Sequence, residues 1–359
     1  MPSESTREPD ARAWIEVDLG ALLRNARALS AHARVPLVPM VKADAYGLGA
    51  VPVVRALEVL DPLAYGVATV AEGEALRAAG IRRPIILFSP ARVADLPALR
   101  AASITPTLAS AEGIEAWIAG GGGDWQLSID TGMHRAGVRW DALDPLLPTL
   151  LRHAPSGVFT HFHSSELDDG SVAVQEERFR AAVARLPARP RLLHTQNSAA
   201  IVRSTPSAWD CARPGIFLYG VGSGVRAALQ PEPVVALRAR ILEVRDVHAG
   251  ESVSYDATWR AARPSRIATV ACGYADGLRR HLGNRAHALV RGARAPIAGV
   301  VTMDMAMIDV TDAGAGVGDV VTFLGSERTV EEVAAEGGLS PYELLTGLRQ
   351  RLPRSYRGT

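Results

Sequence analysis

The chain has 359 residues, more than one compact core usually serves, so two domains are expected. Hydrophobic residues make up 48% and charged residues 21%, the balance of an ordinary water-soluble globular protein. A formal net charge of +1 gives no reason to expect nucleic acid or an anionic membrane as a partner, and no run reaches the ~18 apolar residues of a membrane span.

The first ten residues are polar and lack an apolar core, so residues 1–12 are expected to be a disordered tail and not a signal peptide. A cytoplasmic protein is expected on that ground. Residues 13–18 alternate like a strand. Asp18 then caps an expected helix over 19–31, whose leucines at 19, 22, 23 and 29 form a stripe. The run Val35-Pro-Leu-Val-Pro-Met-Val41 reads as a buried strand that ends in one lysine, Lys42, with Tyr46, Gly47 and Gly49 just beyond. Parallel α/β folds place their chemistry at that end of a strand. A desolvated lysine there holds its proton less tightly, and the neutral amine condenses with aldehydes. The bland alternative is a lysine that only marks a strand end.

The alternation then continues. A helix through 51–60 precedes a strand at 64–68, a helix over 72–79 closed by Gly80, and a strand at 84–88. A helix over 93–102, a strand at 104–108 and a helix over 111–119 repeat the beat. The four glycines at 120–123 read as a loose link and not a phosphate cradle, because no helix with Lys or Ser/Thr follows. Strands at 125–130, 157–163 and 191–198 and a short eighth before Arg213 complete the set. Strand–helix alternation over some two hundred residues points to an α/β fold with a parallel (β/α)8 barrel over 13–228. An open doubly wound sheet is the alternative, but it should carry a glycine-rich dinucleotide fingerprint after the first strand, and there is none.

The Pro-rich stretch 229–233 breaks the alternation. Beyond it, short runs at 234–247, 267–271, 288–290, 297–302, 306–310 and 320–324, with helices near 329–335 and 342–347, make 229–359 a smaller, mostly-β carboxyl-terminal domain. Cys211 and Cys272 lie far apart in apolar settings and read as buried free thiols.

Eight strand-end sequences together resemble one family. They are Val41-Lys-Ala-Asp-Ala-Tyr-Gly-Leu-Gly49, Asp130-Thr-Gly-Met-His-Arg135, Thr160-His-Phe162, Asn197-Ser-Ala199, Arg213-Pro-Gly-Ile216, Ser254-Tyr255, Gly273-Tyr-Ala-Asp-Gly277 and Met303-Asp304. In this order, over about residues 13–354, they are similar to the motif set of the alanine racemases, fold-type III enzymes that use pyridoxal 5'-phosphate (PLP). The resemblance implies a PLP-binding barrel, a β domain to which the first strand belongs, and a homodimer with shared active sites. It implies an isomerase acting on a small amino acid, L-alanine to D-alanine, for the cell wall.

Residue by residue, the resemblance assigns Lys42 to the PLP aldehyde. Tyr46, Ser198 and the amides of Gly215 and Ile216 take the phosphate, where unpaired N–H groups at a strand-to-helix turn suit an anion. Ser198 has a plainer alternative as a helix cap. Arg213 faces the pyridine nitrogen, with His161 holding it in place. Arginine is always charged and only donates, so it leaves that nitrogen unprotonated and weakens the ring as an electron sink. The alternative for His161-Phe-His163 is a metal pair, but no third ligand is evident, and no metal is expected.

Racemisation needs a base on each face of the carbanion. Lys42 serves one face and Tyr255, from the other subunit, the opposite one. A phenol titrates near 10, so Tyr255 needs positive charge about it, which Arg213, His161 and Arg135 would supply. Arg135, Tyr274, Met303 and Asp304 are expected around the substrate.

The departures concern substrate range. Ser128 stands where many relatives carry a carbamylated lysine that steadies Arg135, Asp256 follows Tyr255 where many have glycine, and Gln350 and Val300 replace a tyrosine and an arginine of the entry channel. A smaller, less aromatic entrance would admit amino acids larger than alanine. A broader racemase, or one for serine or lysine, is the nearest rival. A decarboxylase of the same fold would favour a glutamate at the ring nitrogen and a cysteine in the β domain.

Overall fold

Parallel pairing runs in order through Tyr65–Val67, Ile85–Pro90, Ile104–Leu108, Gln126–Asp130, Gly157–Phe159 and Leu192–His194. This sheet comes from a computed structural model that describes residues 10–203, 207–224 and 227–358. The run before Lys42 closes it into a barrel. Leu37 bridges Ala212 and Met40 bridges Gly66, both parallel. Val38 N–H donates to Ala212 O, Met40 N–H to Pro214 O and Val41 N–H to Gly66 O, at 2.8–2.9 Å. Pro36 and Pro39 bring no N–H to the ladder, so this expected strand survives only as bridges. The short eighth strand is likewise a single bridge at Ala212.

The helices Val70–Ala78, Leu96–Ala101 and Ala111–Ala119 follow successive strands. Thr69 and Ser110 start the first and last of these by accepting hydrogen bonds from Glu72 N–H and Gly113 N–H. The four glycines are a packed turn and not a loose link. A Cβ on Gly122 would lie 2.3 Å from the Trp117 ring, and Trp117 Nε1–H donates to Gly123 O at 2.9 Å. The longest barrel helix after the first, Ser171–Ala184, has no counterpart in the sequence reading; it buries only Gln175, Phe179 and Ala182.

The chain divides into two units. One comprises Leu23–Leu218 and Gly222–Pro231; the other joins the described residues up to Leu22, Tyr219–Val221 and the chain from Glu232 on. In the second, the thirteen-residue strand Val235–Val247 organises the sheet. It pairs antiparallel with Ala13–Asp18, Ser265–Val270 and Val320–Leu324. Ala13–Asp18 pairs on its other side, parallel, with Arg354–Arg357. Ala293–Pro296 is a strand and 297–302 is not, apart from the bridge Ile297–Ile308. The expected tail lies outside the described residues for 1–9. Arg12, also assigned to it, is instead tied down: its side chain donates to Asp276 at 3.1 Å.

Candidate active site

Lys42 stands at the carboxyl end of the bridging run, at the mouth where a barrel gathers its functional groups. The backbone after it is unusual. Ala43, Asp44, Ala45 and Tyr46 all have φ between 52° and 56°, so four consecutive non-glycine residues form one left-handed turn. Each such residue is disfavoured by about 1–2 kcal/mol, so neighbouring structure must hold the turn. Ala45 N–H donates to Val41 O and Gly47 N–H to Ala43 O within it, and Asp44 Oδ1 accepts from Ala50 N–H at 2.7 Å. Gly47 and Gly49, at φ 86° and 98°, return the chain to the helix Ala50–Leu57. The turn sends Tyr46 inward, where it is buried.

Tyr46 meets the second phosphate motif. A Cβ on Gly215 would lie 2.4 Å from Tyr46 Oη, so only glycine permits this approach. Gly215 N–H donates to Ser198 Oγ at 2.8 Å and Phe217 N–H reaches the same oxygen at 3.4 Å. Ser198 is not the helix cap. Asn197 Oδ1 accepts from Ala200 N–H at 3.0 Å and caps Ser198–Arg203, which leaves the Ser198 hydroxyl for the Gly215 turn. Ile216 opens the following 3-10 turn, Ile216–Tyr219. Tyr46, Ser198 and Gly215 are thus brought together.

Arg213 lies inside the barrel, 3% exposed. Its guanidinium packs on Phe159 at 5.2 Å and Phe88 at 5.7 Å from the ring centroids. Nη2 donates to Thr160 O at 2.6 Å and to Thr195 O at 3.1 Å; Nη1 donates to His194 Nδ1 at 2.7 Å. Burial draws its pKa down to about 10, so it is still charged near neutrality. The residue that holds Arg213 is therefore His194, correcting the expectation for His161. Strand Leu192–His194 directs the His194 ring into the barrel, stacked on Phe159, whereas His161 lies two residues past the end of its own strand. A Leu-Leu-His strand ending one turn short of Asn197-Ser198 is the only sequence signal for it.

His161 joins the mouth in another way. Its pKa falls to about 3 through burial first, then the charges of Arg213, Arg135 and Lys42. Lys42 is lowered by burial and then by Arg135, with Glu72 acting the other way. Lys42, Arg135, His161 and Arg213 therefore share one electropositive region. His163 instead bonds Ser164 Oγ through Nδ1 at 2.7 Å. Ser128 is buried against the loop that carries Arg135: a Cβ on Gly137 would touch Ser128 O and Oγ. Among the described residues no carboxylate pairs with Arg135. Thr195 Oγ1, beside the Arg213 shell, is buried without a hydrogen-bond partner.

The remaining expected site residues belong to the second unit. Tyr255 heads the loop of a two-stranded ribbon, Ser252–Val253 with Trp259–Arg260, and is 67% exposed. Ser254, Asp256 and Ala257 all have positive φ, and Ser254 Oγ donates to Val300 O at 2.8 Å. Tyr274 N–H donates to Thr302 O and Ala275 N–H to Met303 O, which joins the Tyr274 and Met303 loops. Asp276, wholly buried, accepts from Gly273 N–H, Arg12 and Arg351, and Arg351 Nη2 also donates to Asp304 Oδ1 at 2.8 Å. Sequence reading missed this clamp.

The model for the alanine racemase N-terminal domain matches residues 17–223, and that for the alanine racemase C-terminal domain matches residues 234–356. The chain is 37% identical to an alanine racemase of Sorangium cellulosum, over 95% of this chain and 98% of the relative. It is 39% identical to one of Acidiphilium cryptum, over 95% and 97%. The alanine racemase of E. faecalis superposes with a TM-score of 0.90 at 30% identity, covering 96% of this chain and 98% of that one. The Bartonella henselae alanine racemase with covalently bound pyridoxal phosphate gives a TM-score of 0.89 at 30% identity, covering 97% and 100%.

Proposed function

The chain belongs to the alanine racemase family, and on that premise we propose that it interconverts L-alanine and D-alanine with PLP, using Lys42 and Tyr255 as its two bases. The observation that carries the reading is the joining, at one barrel mouth, of a lysine with a weakened hold on its proton, a glycine-lined hydroxyl cradle, and a buried arginine.

The residues present fit the cofactor. The Lys42 amine would carry its aldehyde. The Tyr46 and Ser198 hydroxyls with the Gly215 and Ile216 amides would hold the phosphate, as the narrow approach at Gly215 supports. Arg213 would meet the ring nitrogen with an N–H that its bonds to Thr160, Thr195 and His194 leave over. The bound ring supplies the electron withdrawal that acidifies the substrate's α-hydrogen. Arg213 limits it, because a guanidinium that only donates does not protonate the ring nitrogen. Lys42 Nζ and Tyr255 Oη take and return the α-proton on opposite faces. Arg135 would bind near the substrate carboxylate, and Tyr274, Met303 and Asp304 would wall that side.

A second copy of the chain would supply Tyr255 across a homodimer interface. The exposure of Tyr255, Met303, Met305 and Tyr274 in one chain, from 39% to 67%, supports this reading. D-Alanine made this way would serve cell-wall synthesis in the cytoplasm; no described helix is long and apolar enough to cross a membrane. Incubating the PLP-loaded protein with L-alanine and separating the enantiomers tests the reaction. Equal amounts of both are expected, and L-alanine recovered unchanged would overturn the proposal.

A further inference from the structure

The left-handed turn after Lys42 begins with an amide, Ala43 N–H, that the turn itself cannot satisfy. It donates to Glu72 Oε1 at 2.7 Å. The other oxygen, Oε2, accepts from Ala68 N–H at 2.7 Å and Thr69 N–H at 3.1 Å. Glu72 is the third residue of its helix, and its bond to Thr69 N–H completes an ordinary capping box. A capping box uses only one oxygen of the carboxylate. Here the second oxygen reaches 29 positions back along the chain, to the peptide that joins Lys42 to Ala43.

Three backbone N–H groups on one carboxylate make a charge-assisted clamp, and such bonds are about twice as strong as neutral ones. It holds a turn whose backbone alone would not stay left-handed. We infer that Glu72 is the positioning residue for Lys42: it locks the Lys42–Ala43 peptide to the start of the helix Val70–Ala78 and sets the charge beside the amine. The inference rests on reading Lys42 as the attachment point for PLP.

Among the described residues the charged groups that act on the amine are Arg135 and Glu72; the neutral His161 stands beside them, in the field of Lys42, Arg135 and Arg213. Glu72 is the only anion among them, and its field favours the protonated amine. Removing its charge shifts the amine toward the neutral form at a given pH. Removing its reach frees the peptide, so that the amine is no longer held for attack.

The test uses the full chain freed of PLP. Added PLP is followed across pH by the absorbance change as the lysine amine condenses with the aldehyde and water leaves; borohydride, added after each time course, then supplies hydride to fix the product as a secondary amine that mass spectrometry locates. Glu72→Gln is compared with wild type and with Glu74→Gln, an exposed neighbour on the same helix. In Glu72→Gln the rate is expected to reach half its plateau at lower pH, with about two- to fivefold more neutral amine on the acid limb. The plateau at high pH, where the lysine is neutral in every variant, is expected to fall about tenfold through lost positioning. Glu72→Asp keeps the charge but shortens the reach, so it should hold the wild-type midpoint and lose plateau, and it decides the matter alone if Glu72→Gln does not fold. Wild-type plateaus in the folded Glu72 variants overturn the inference. Label on a lysine-independent site, with Lys42 untouched in wild type, overturns the reading of Lys42 itself.

Discussion

Arg213 donates from Nη1 to Nδ1 of His194 across 2.7 Å inside the barrel. An arginine has no lone pair to offer, so His194 Nδ1 is the acceptor and its proton sits on Nε2, which donates to Gln126 Oε1 at 3.1 Å. Burial first, then the Arg213 charge, keeps the ring neutral. The chain Gln126–His194–Arg213 therefore has one direction and one tautomer, and it fixes the guanidinium that the PLP ring would meet.

Replacing His194 by alanine should leave a buried charged donor without its partner, at about 1–3 kcal/mol of stability. Thermal denaturation of the PLP-free protein measures this. Arg213→Lys should lose the fork that reaches Thr160 O, Thr195 O and His194 together, and should weaken PLP binding. An unchanged melting temperature in His194→Ala would mean that the pairing is incidental.

Gly215→Ala puts a methyl group 2.4 Å from Tyr46 Oη. The tyrosine must then leave the cradle or the turn must open. PLP affinity, read by titration of its absorbance, should fall by about tenfold to a hundredfold, the equivalent of 1–3 kcal/mol of overpacking. Double replacement with Tyr46→Phe should recover little of it, since the ring carbon bearing the hydroxyl is also within 3.2 Å of that Cβ.

The mouth histidines set an acid limit. His161 has its pKa lowered to about 3 in the fold against an ordinary value of 6.5. Between those values the unfolded chain binds the extra proton and the folded one does not, so stability is full above pH 6.5 and declines as pH falls toward 3. His194 acts in the same direction. His161→Gln should flatten part of this decline in urea midpoints measured from pH 7 to pH 4. Parallel curves for variant and wild type would contradict it.

Asp276 is a wholly buried carboxylate holding Arg12, Arg351 and the Gly273 amide. Asp276→Ala leaves two guanidinium groups, each about two-fifths exposed, without their common partner. It should destabilise, chiefly by taking the acceptor from the buried Gly273 amide and from both guanidinium groups at once, and Arg12→Ala by clearly less, because the carboxylate then keeps Arg351. Denaturant unfolding of the three proteins checks the order.

Much of the barrel was legible in the sequence because its strands are short apolar runs between turn residues; 104–108 and the helix over 111–119 coincide with the structure. What escaped has physical causes. Ser171–Ala184 starts at Gly170 with no side-chain cap and carries only a thin apolar face, so no periodicity marks it. Lys-Ala-Asp-Ala-Tyr consists mostly of residues that tolerate a right-handed helix, and its left-handed turn comes from the flanking glycines and the distant Glu72. Lys42, Arg213, Ser198 and Gly215 were named from the sequence because each sits in a strand-end motif. His194 and Glu72 were not, because each acts through another residue, and a single sequence does not reveal its partner.

The two-base claim is tested most directly with Tyr255→Phe and wild type, each loaded with PLP, in deuterated water with L- or D-alanine, following loss of the α-proton by NMR and the product enantiomers by chiral separation. In wild type both enantiomers should exchange and racemise. In Tyr255→Phe racemisation should fall by about 10²–10⁴-fold, the range of a lost general base, while Lys42 still exchanges the α-proton of one enantiomer without inverting it. Equal exchange of both enantiomers in Tyr255→Phe, or racemisation at the wild-type rate, would contradict the assignment of one base to each face.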